Sequence, residues 1–225
     1  MKKQANLYII RVILQRIAGL VLFLLGSGGR MDVRSMVYFA MYFVFAIVSM
    51  ALIRSVSPGA LAARGRIAAS TPLWDKIVLG VYWLAAYLAI YYVAGLESAG
   101  TPPALGWIFG VGVALQVSAF LLSLWAARIN PFLESVSRLQ PERGQSVCRS
   151  GPYARIRHPL YAAVLLWCAG ISMVFETAYT AILAGFIAGI ILLRTALEDR
   201  MLLKGLNGYP AYAEDVRFRL IPFIW

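Results

Sequence analysis

The sequence predicts an all-α integral membrane protein with about six transmembrane helices, and three observations carry that prediction. Of the 225 residues, 61% are hydrophobic and only 14% are charged, whereas a soluble domain is about half apolar and roughly a quarter charged. Apolar runs close to the ~20 residues that cross a bilayer as a helix recur along the chain. The basic residues cluster between those runs, which is the pattern of topology signals.

The apolar runs predict the spans in chain order. They are 12–29, 36–53, 77–96, 104–127, 160–175 and 178–193. Arg11 and Arg16 interrupt the first apolar stretch, and no A-x-A-like cleavage site follows it, so we expect a retained membrane helix and no signal peptide. Only two residues separate the last two runs, which predicts a tight helical hairpin. Gly185 and Gly189 form G-x-x-x-G in the last run, a spacing that allows close helix packing, which we expect between helices of this chain.

The distribution of positive charge predicts the topology. Of the 21 Lys and Arg residues, 19 fall in the segments 1–16, 54–76, 128–159 and 194–225, and two fall on the other side. The positive-inside rule therefore predicts a multi-pass protein of the cytoplasmic (inner) membrane with both termini in the cytoplasm. The same distribution argues against nucleic acid as a partner despite the net charge of +11, because a nucleic-acid footprint would be one continuous basic face.

Metal binding is not expected either. The chain has one histidine and two cysteines, Cys148 and Cys168. Their separation fits neither a C-x-x-C pair nor a zinc site. We therefore expect two reduced thiols and no metal.

The stretch G-P-Y-A-R-I-R-H-P-L-Y at 151–161 is the first candidate for a ligand site. It contains the only histidine, His158, and it immediately precedes an apolar run. Pro159 suits the first turn of a helix, so His158 would lie at a helix N-terminus, where unpaired backbone N–H groups attract an anionic group. The alternative is that Arg157 and His158 only anchor the helix end among lipid head groups.

The second candidate segment begins at the end of the last apolar run. Arg194 and Glu198 are separated by four residues, so they share one helical face and can pair. Such a pair could orient a carboxylate or a cation, and the alternative is a solvated helix end. Tyr209 and Tyr212 follow on a predicted short helix that begins at a proline, and Arg219 comes next. The hairpin would bring this segment next to the first one, at one membrane face.

Taken together, these residues resemble the isoprenylcysteine carboxyl methyltransferase family and the related phospholipid methyltransferases, in a bacterial form. The matching elements are G-P-Y…R-H-P-x-Y at 151–161, R-x-x-x-E at 194–198, Y-x-x-Y at 209–212 and R-x-I-P at 219–222. The stretches S-P-G-A-L-A-A-R-G-R at 57–66 and T-P-L-W-D at 71–75 are also similar to bacterial members. The resemblance covers residues 54–225, which we expect to form the methyltransferase core, with 1–53 as accessory N-terminal transmembrane helices.

The resemblance implies S-adenosylmethionine bound at the cytoplasmic membrane face, without a soluble Rossmann domain. The residues that it implies for the cofactor pocket are Tyr153, Arg157, His158, Pro159, Tyr161 and Glu198. It also implies that Arg194 orients the methyl acceptor with the support of Glu198, as the two catalytic residues. Tyr209, Tyr212 and Arg219 would then close the site over the substrate together with Arg194.

The predicted acceptor is a lipophilic molecule from the bilayer, with carboxyl O-methylation of a prenylcysteine-like compound favoured. A carboxylate needs no general base and does need a cation to position it, which Arg194 could supply. An amine would have to lose a proton to Glu198 or His158, so phospholipid amine N-methylation stays open, as does S-methylation of a small thiol.

Two other classes of protein stay open. A small membrane transporter or assembly factor would place charges inside the spans along a path, but only the first predicted span contains any. A membrane reductase of the same fold would bind a nicotinamide cofactor.

Overall fold

The computed structural model describes residues 2–56, 68–100 and 104–225, with side chains described for 6–52, 68–100 and 104–225. The predicted family stretch at 57–66 lies outside the described residues. Seven α-helices form the described part of the chain. They are α1 (Lys2–Ser27), α2 (Val33–Val56), α3 (Leu73–Ser98), α4 (Trp107–Ile129), α5 (Pro159–Phe175), α6 (Ala178–Gly205) and α7 (Tyr209–Asp215).

The all-α membrane architecture predicted from composition is confirmed. Within the described ranges, five helices are long and apolar enough to cross a membrane: α1 from Asn6, α2 up to Leu52, α3, α4 and α6. The sixth predicted span corresponds to α5, which is apolar but only 17 residues long. Helix α6 continues to Gly205, twelve residues past the predicted end of its span, and so carries the second candidate segment as helix.

The predicted hairpin of α5 and α6 is present, and Arg34 holds its outer end. Arg34 is buried at the start of α2. Its guanidinium donates to the backbone oxygen of Val174 at 2.8 Å and pairs with Glu176 Oε1 at 2.6 Å. Glu176 sits between the two helices in a left-handed conformation, with a φ of 52°. This ion pair therefore ties the hairpin connection to α2, at the end of the helices opposite the candidate site.

Glycines bring two pairs of helices into close contact. A Cβ on Gly95 of α3 would collide with the Phe23 backbone oxygen of α1, and one on Gly26 would collide with the Tyr92 oxygen of α3. A Cβ on Gly112 of α4 would lie 2.7 Å from the Val174 backbone nitrogen of α5. Helices α1 and α3, and likewise α4 and α5, therefore pack backbone to backbone.

The prediction of close packing at Gly185 and Gly189 is wrong. No described residue lies within 4 Å of where a Cβ would stand on either glycine, and both glycines are exposed on α6. Spacing alone permits close approach, but the contacts within this bundle use the opposite face of α6, where Ala184 and Ile187 are buried.

A π-helical turn interrupts α3 at Ala85–Ala89. Such turns insert one residue into a helix and are often found at functional sites. Here the turn carries Tyr87 into the interior, where its ring meets that of Tyr82 edge to face at 5.8 Å. Both tyrosines line the main cavity of the protein.

Candidate functional site

The geometry of a helix start explains the position of the histidine motif. Pro159 occupies the first turn of α5 and His158 is its N-cap residue, as predicted. The backbone N–H groups of Arg157 and His158 donate to the oxygens of Phe218 and Arg219, each at 2.9 Å. The C-terminal segment therefore lies alongside the motif, and the two predicted candidate segments form one site.

Asp199 joins the two segments. Its side chain is fully buried and accepts from Tyr209 OH at 2.8 Å and from Arg219 Nε at 2.8 Å. Arg157 Nη1 lies 3.0 Å from Oδ1, and His158 Nε2 lies 3.2 Å from the same oxygen. One carboxylate thus fixes four of the predicted site residues. Because charge-assisted hydrogen bonds are the strong ones, this cluster is the most constrained part of the site.

Glu198, one residue earlier on α6, points toward different partners. Its Oε2 accepts short hydrogen bonds from Ser137 Oγ and from Tyr161 OH. The Tyr161 ring stacks on the His158 ring at 5.7 Å, with 10° between the planes. Glu198 also lines the main cavity, so this carboxylate is held in place by two neutral donors while it faces open space.

The predicted pairing of Arg194 with Glu198 is not formed, and Asp75 takes its place. Arg194 Nε donates to Asp75 Oδ1 at 2.8 Å, and Nη2 lies 3.4 Å from Oδ2. Asp75 is fully buried and also accepts from the Ser137 backbone N–H at 2.8 Å. The spacing of four residues made a pair with Glu198 possible, but the carboxylate at the start of α3 fits the guanidinium in a two-nitrogen contact.

Arg194 nonetheless remains in the predicted location. It lines the main cavity, and its Cζ lies 5.3 Å from the centre of the Tyr161 ring. Its contacts with Asp75 use Nε and Nη2, so Nη1 is the nitrogen that could meet an acceptor.

Two further predicted residues form the wall on the C-terminal side. Tyr212 OH donates to the Tyr153 backbone oxygen at 2.7 Å, and Asn130 donates to Tyr153 OH at 3.2 Å. Burial is the main cause that raises the pKa of Tyr153 and of Tyr212 above the ordinary 10.0. Burial and the neighbouring Asp199 charge raise the pKa of Tyr209 in the same direction. All three phenols are therefore neutral.

A single cavity of about 710 Å³ connects these groups. Its polar end is lined by His158, Glu198 and Tyr209, together with Gln140 of the 130–158 segment. Its apolar part runs between the helices. The residues lining that part include Met50, Leu79, Trp83, Leu88, Leu124, Val164 and Ile191. Small-molecule sites usually measure about 300–1,000 Å³, and this one is open to both a polar and an apolar ligand.

Nine of the ten predicted site residues line the cavity. Tyr153, Arg157, His158, Pro159, Tyr161, Arg194, Glu198, Tyr209 and Tyr212 line it directly. Arg219 does not line it, but its backbone oxygen accepts from the lining residue His158, its Nε donates to Asp199, and its guanidinium lies 5.0 Å from the centre of the Trp225 ring. We found no group of three His, Cys, Asp or Glu side chains arranged for a metal ion among the described residues.

Sequence reasoning overlooked three residues that organise the site: Asp199, Asp75 and Ser137. Asp199 was visible only as one acid of a Glu-Asp-Arg run at a helix end. Asp75 is the last residue of the T-P-L-W-D stretch. An acid at the start of a membrane helix is a signal that could have identified it as a site residue. Ser137 lies in a polar segment with nothing in its neighbourhood to single it out.

Comparison with known proteins found a family match over part of the chain. Residues 113–204 match the sequence profile of the isoprenylcysteine carboxyl methyltransferase (ICMT) family. The matched range contains the histidine motif, Arg194, Glu198 and Asp199, while α1, α2, α3 and α7 lie outside it. No curated protein matches the chain.

The family suggests a membrane methyltransferase, and its members normally use S-adenosylmethionine. The long apolar helices agree with a multi-pass integral membrane protein. The match over residues 113–204, with the motif residues inside it, supports an isoprenylcysteine carboxyl methyltransferase family assignment for that part of the chain.

Proposed function

We propose that this chain is an S-adenosylmethionine-dependent methyltransferase that methylates the carboxylate of a lipophilic, prenylcysteine-like acceptor at the cytoplasmic face of the membrane. The observation that carries the proposal is the continuity of one cavity from the polar cluster around Glu198 to the apolar space between the helices. A cofactor from water and an acceptor from lipid could therefore meet within it.

The residues at the polar end fit the chemistry of the cofactor. Arg157 has a buried Nε with no hydrogen-bond partner among the described residues, and a guanidinium suits the carboxylate of an amino acid. Glu198 offers a carboxylate to an ammonium or hydroxyl group, and the stacked His158 and Tyr161 rings offer apolar faces. Burying an unpaired donor has a cost, so the unpaired Arg157 nitrogen favours a bound anionic group.

When bound, S-adenosylmethionine supplies a methyl group that its sulfonium already activates. The chain then has to align the acceptor and exclude water. Arg194 would bind the acceptor carboxylate through Nη1, while Asp75 acts as a positioning residue that holds the guanidinium plane. No residue has to remove a proton from a carboxylate.

The C-terminal segment would exclude water from the site. Tyr209 and Tyr212 of α7 are buried against the cavity. Leu220 is buried as well, and its backbone N–H donates to the oxygen of Trp225 at 2.9 Å. A segment folded in this way would close the polar end of the cavity.

The position of the Glu198 carboxylate favours amine methylation as the second candidate function. Its carboxylate faces the cavity and is oriented by Ser137 and Tyr161, as a general base for an ammonium acceptor would need. Phospholipid amines and small thiols are therefore the comparison substrates.

Labelled methyl transfer with the purified chain tests the proposal. We expect transfer to a prenylcysteine analogue, and less to a phosphatidylethanolamine or a small thiol. His158→Ala should weaken cofactor binding, whereas Arg194→Ala should mainly lower turnover. The exposed Arg128→Gln is the matched control and should change neither. Failure of the wild-type chain to bind S-adenosylmethionine at millimolar concentration would rule out all three methyl acceptors and would favour a transporter or assembly factor.

We also propose the cytoplasmic location of the site and of both termini. Cys148 is partly exposed in the 130–158 segment, whereas Cys168 is buried. A membrane-impermeant maleimide should label Cys148 in inverted vesicles and leave it unlabelled in right-side-out vesicles. Labelling in the opposite orientation would reverse the assigned topology.

A further inference from the structure

Arg16 differs from the other arginines that lie in the interior of the helical bundle. Arg34, Arg157 and Arg194 are each buried and each contact a carboxylate, from Glu176, Asp199 and Asp75 respectively. Arg16 lies near the middle of the membrane-spanning part of α1, Asn6–Ser27.

Arg16 has no acidic partner. The chain has ten Asp and Glu residues, and all ten lie in the described ranges. Among the described residues, none of these ten acids forms an ion pair with Arg16 within 4.0 Å. The fold therefore supplies no side-chain counter-charge for this cation.

The immediate surroundings of Arg16 are aromatic. Its Cζ lies 4.0 Å from the centre of the Tyr42 ring. Its Nε is shielded from solvent and has no hydrogen-bond partner among the described residues, and the same holds for the Tyr42 hydroxyl. A ring face offers a cation only partial compensation. Two buried polar groups next to each other, both unsatisfied, mark a place where a polar ligand group is missing from the hydrogen-bond network.

Arg16 also lies where two cavities meet. It lines the main cavity, and it lines a second cavity of about 240 Å³. The second cavity is rich in aromatic residues. Its aromatic lining residues are Tyr38, Tyr42, Phe45, Tyr82, Tyr87, Tyr91, Phe120 and Trp167. Arg16 is the only cationic side chain among the residues that line it.

Apart from Arg16 and the Tyr42 hydroxyl, several polar groups that line the second cavity are satisfied within the protein. Gln116 Nε2 donates to the Trp167 oxygen at 3.1 Å, and Ser49 and Ser123 donate to backbone oxygens of their own helices. An apolar chain could therefore lie in this space with its anionic end at Arg16.

We propose that Arg16 binds the anionic head group, a carboxylate or a phosphate, of a lipid whose apolar chain occupies the second cavity. A charge within the hydrocarbon region is costly unless it is paired, and a charged residue there is a functional site by default. The site lies on α1, outside the part of the chain that matches the methyltransferase family. It goes beyond the proposed methyl transfer and does not depend on it.

Lipid binding to the purified full chain in a neutral detergent tests the proposal. Oleate and dioleoyl phosphatidic acid are the anionic lipids, and oleyl alcohol and dioleoyl phosphatidylcholine are the matched lipids without net charge. Native mass spectrometry or tryptophan fluorescence would give the dissociation constants. We expect the wild-type chain to bind the anionic pair more tightly than the uncharged pair.

Three variants separate the site from general charge effects. Arg16→Gln should weaken binding of the anionic lipids about tenfold or more, since one charge-assisted hydrogen bond is worth at least that factor. Arg16→Lys keeps the charge and should retain part of the affinity. Arg128→Gln removes an exposed arginine outside both cavities and should bind as the wild type does.

The proposal is overturned if the wild-type chain does not discriminate by charge, or if Arg16→Gln binds the anionic lipids as tightly as Arg128→Gln. Removal of an unpaired charge from an apolar helix should not unfold it, and a monodisperse elution profile with a helical circular dichroism spectrum equal to that of the wild type would verify the fold of each variant. If Arg16→Gln fails to fold, the affinity of Arg16→Lys and the preference of the wild type for anionic over uncharged lipids still test the proposal.

Methyl transfer distinguishes the source of the lipid. After incubation with labelled cofactor, label in the bound anionic lipid would identify it as an acceptor, and unlabelled bound lipid would identify it as a bilayer lipid resident in the cavity. Both results support the Arg16 site. Absence of cofactor binding would contradict the proposed function and would leave the lipid-binding result intact, so the two failures are distinguishable.

Discussion

Replacing Asp199 by asparagine tests whether one carboxylate holds the two halves of the site together. Asparagine keeps the size of the side chain and removes its charge. Its amide oxygen can still accept from Tyr209, but its NH₂ group faces the donors of Arg157 or Arg219, which contact the carboxylate at 3.0 Å and 2.8 Å. The substitution therefore leaves a buried guanidinium without its counter-charge.

The size of the effect follows from burial. Removing one partner of a buried ion pair costs about 3–5 kcal/mol, and for a chain of this length 1 kcal/mol shifts the unfolding midpoint by about 2–4 °C. We expect the midpoint of Asp199→Asn to fall by roughly 6–20 °C. The affinity for S-adenosylmethionine should fall as well, because Arg157 and His158 both lose their support.

The control is Asp215→Asn on α7. Asp215 pairs with Arg149 at 2.8 Å, but both side chains are largely exposed, and such pairs contribute about 0–1 kcal/mol. Its midpoint should fall by less than roughly 4 °C. Thermal unfolding of the detergent-purified proteins, followed by intrinsic fluorescence, provides the comparison. An Asp199→Asn midpoint no lower than that of Asp215→Asn would refute the reasoning.

Three further predictions concern the site. Arg194→Lys loses the two-nitrogen contact with Asp75, so turnover should fall by about 10- to 100-fold. Cofactor affinity, measured in a titration, should change little. Equal losses of turnover and cofactor affinity would contradict a role of Arg194 in orienting the acceptor. At saturating cofactor, Glu198→Gln should keep carboxyl methylation within about tenfold but lower amine methylation by about 10²–10⁴-fold, and initial rates with labelled methyl groups measure both. The pKa of the Tyr209 phenol is raised above 10.0 in the folded protein, so its stabilising contribution is present below pH 10 and is lost as the pH rises toward the folded-state pKa. Unfolding midpoints measured from pH 8 to 11 should therefore fall less steeply for Tyr209→Phe than for the wild type. Identical slopes would count against a raised pKa at Tyr209.

The helices and the helix start at Pro159 could be predicted because their signals are local. An apolar run of about 20 residues identifies a span wherever it packs, and a proline identifies the first turn of a helix. The hairpin of α5 and α6 followed from a connection of two residues. The histidine motif and the C-terminal segment were correctly expected on one face, since the hairpin returns the chain to the side on which it began.

The partners of the site residues could not be predicted, because they come from distant parts of the chain. Asp75 lies 119 residues before Arg194, and no periodicity relates them. The nearer candidate, Glu198, has the helical spacing for a pair with Arg194, but its carboxylate accepts hydrogen bonds from Ser137 and Tyr161 instead. A spacing shows which contacts are possible, whereas three-dimensional packing selects among them.

The backbone contact between α1 and α3 has a consequence for how the protein enters the membrane. As an isolated segment, α1 would expose Arg16 to lipid, at a cost of about 2.5–3.5 kcal/mol near the centre of a span. The charge is partly buried only when Tyr42 of α2 lies against Arg16 and α3 packs on α1 at Gly95 and Phe23, which happens after α2 and α3 have been synthesised. Stable integration of the first helix therefore awaits the third. A bulky residue at Gly95 should leave α1 poorly inserted and accessible from the aqueous side during biogenesis.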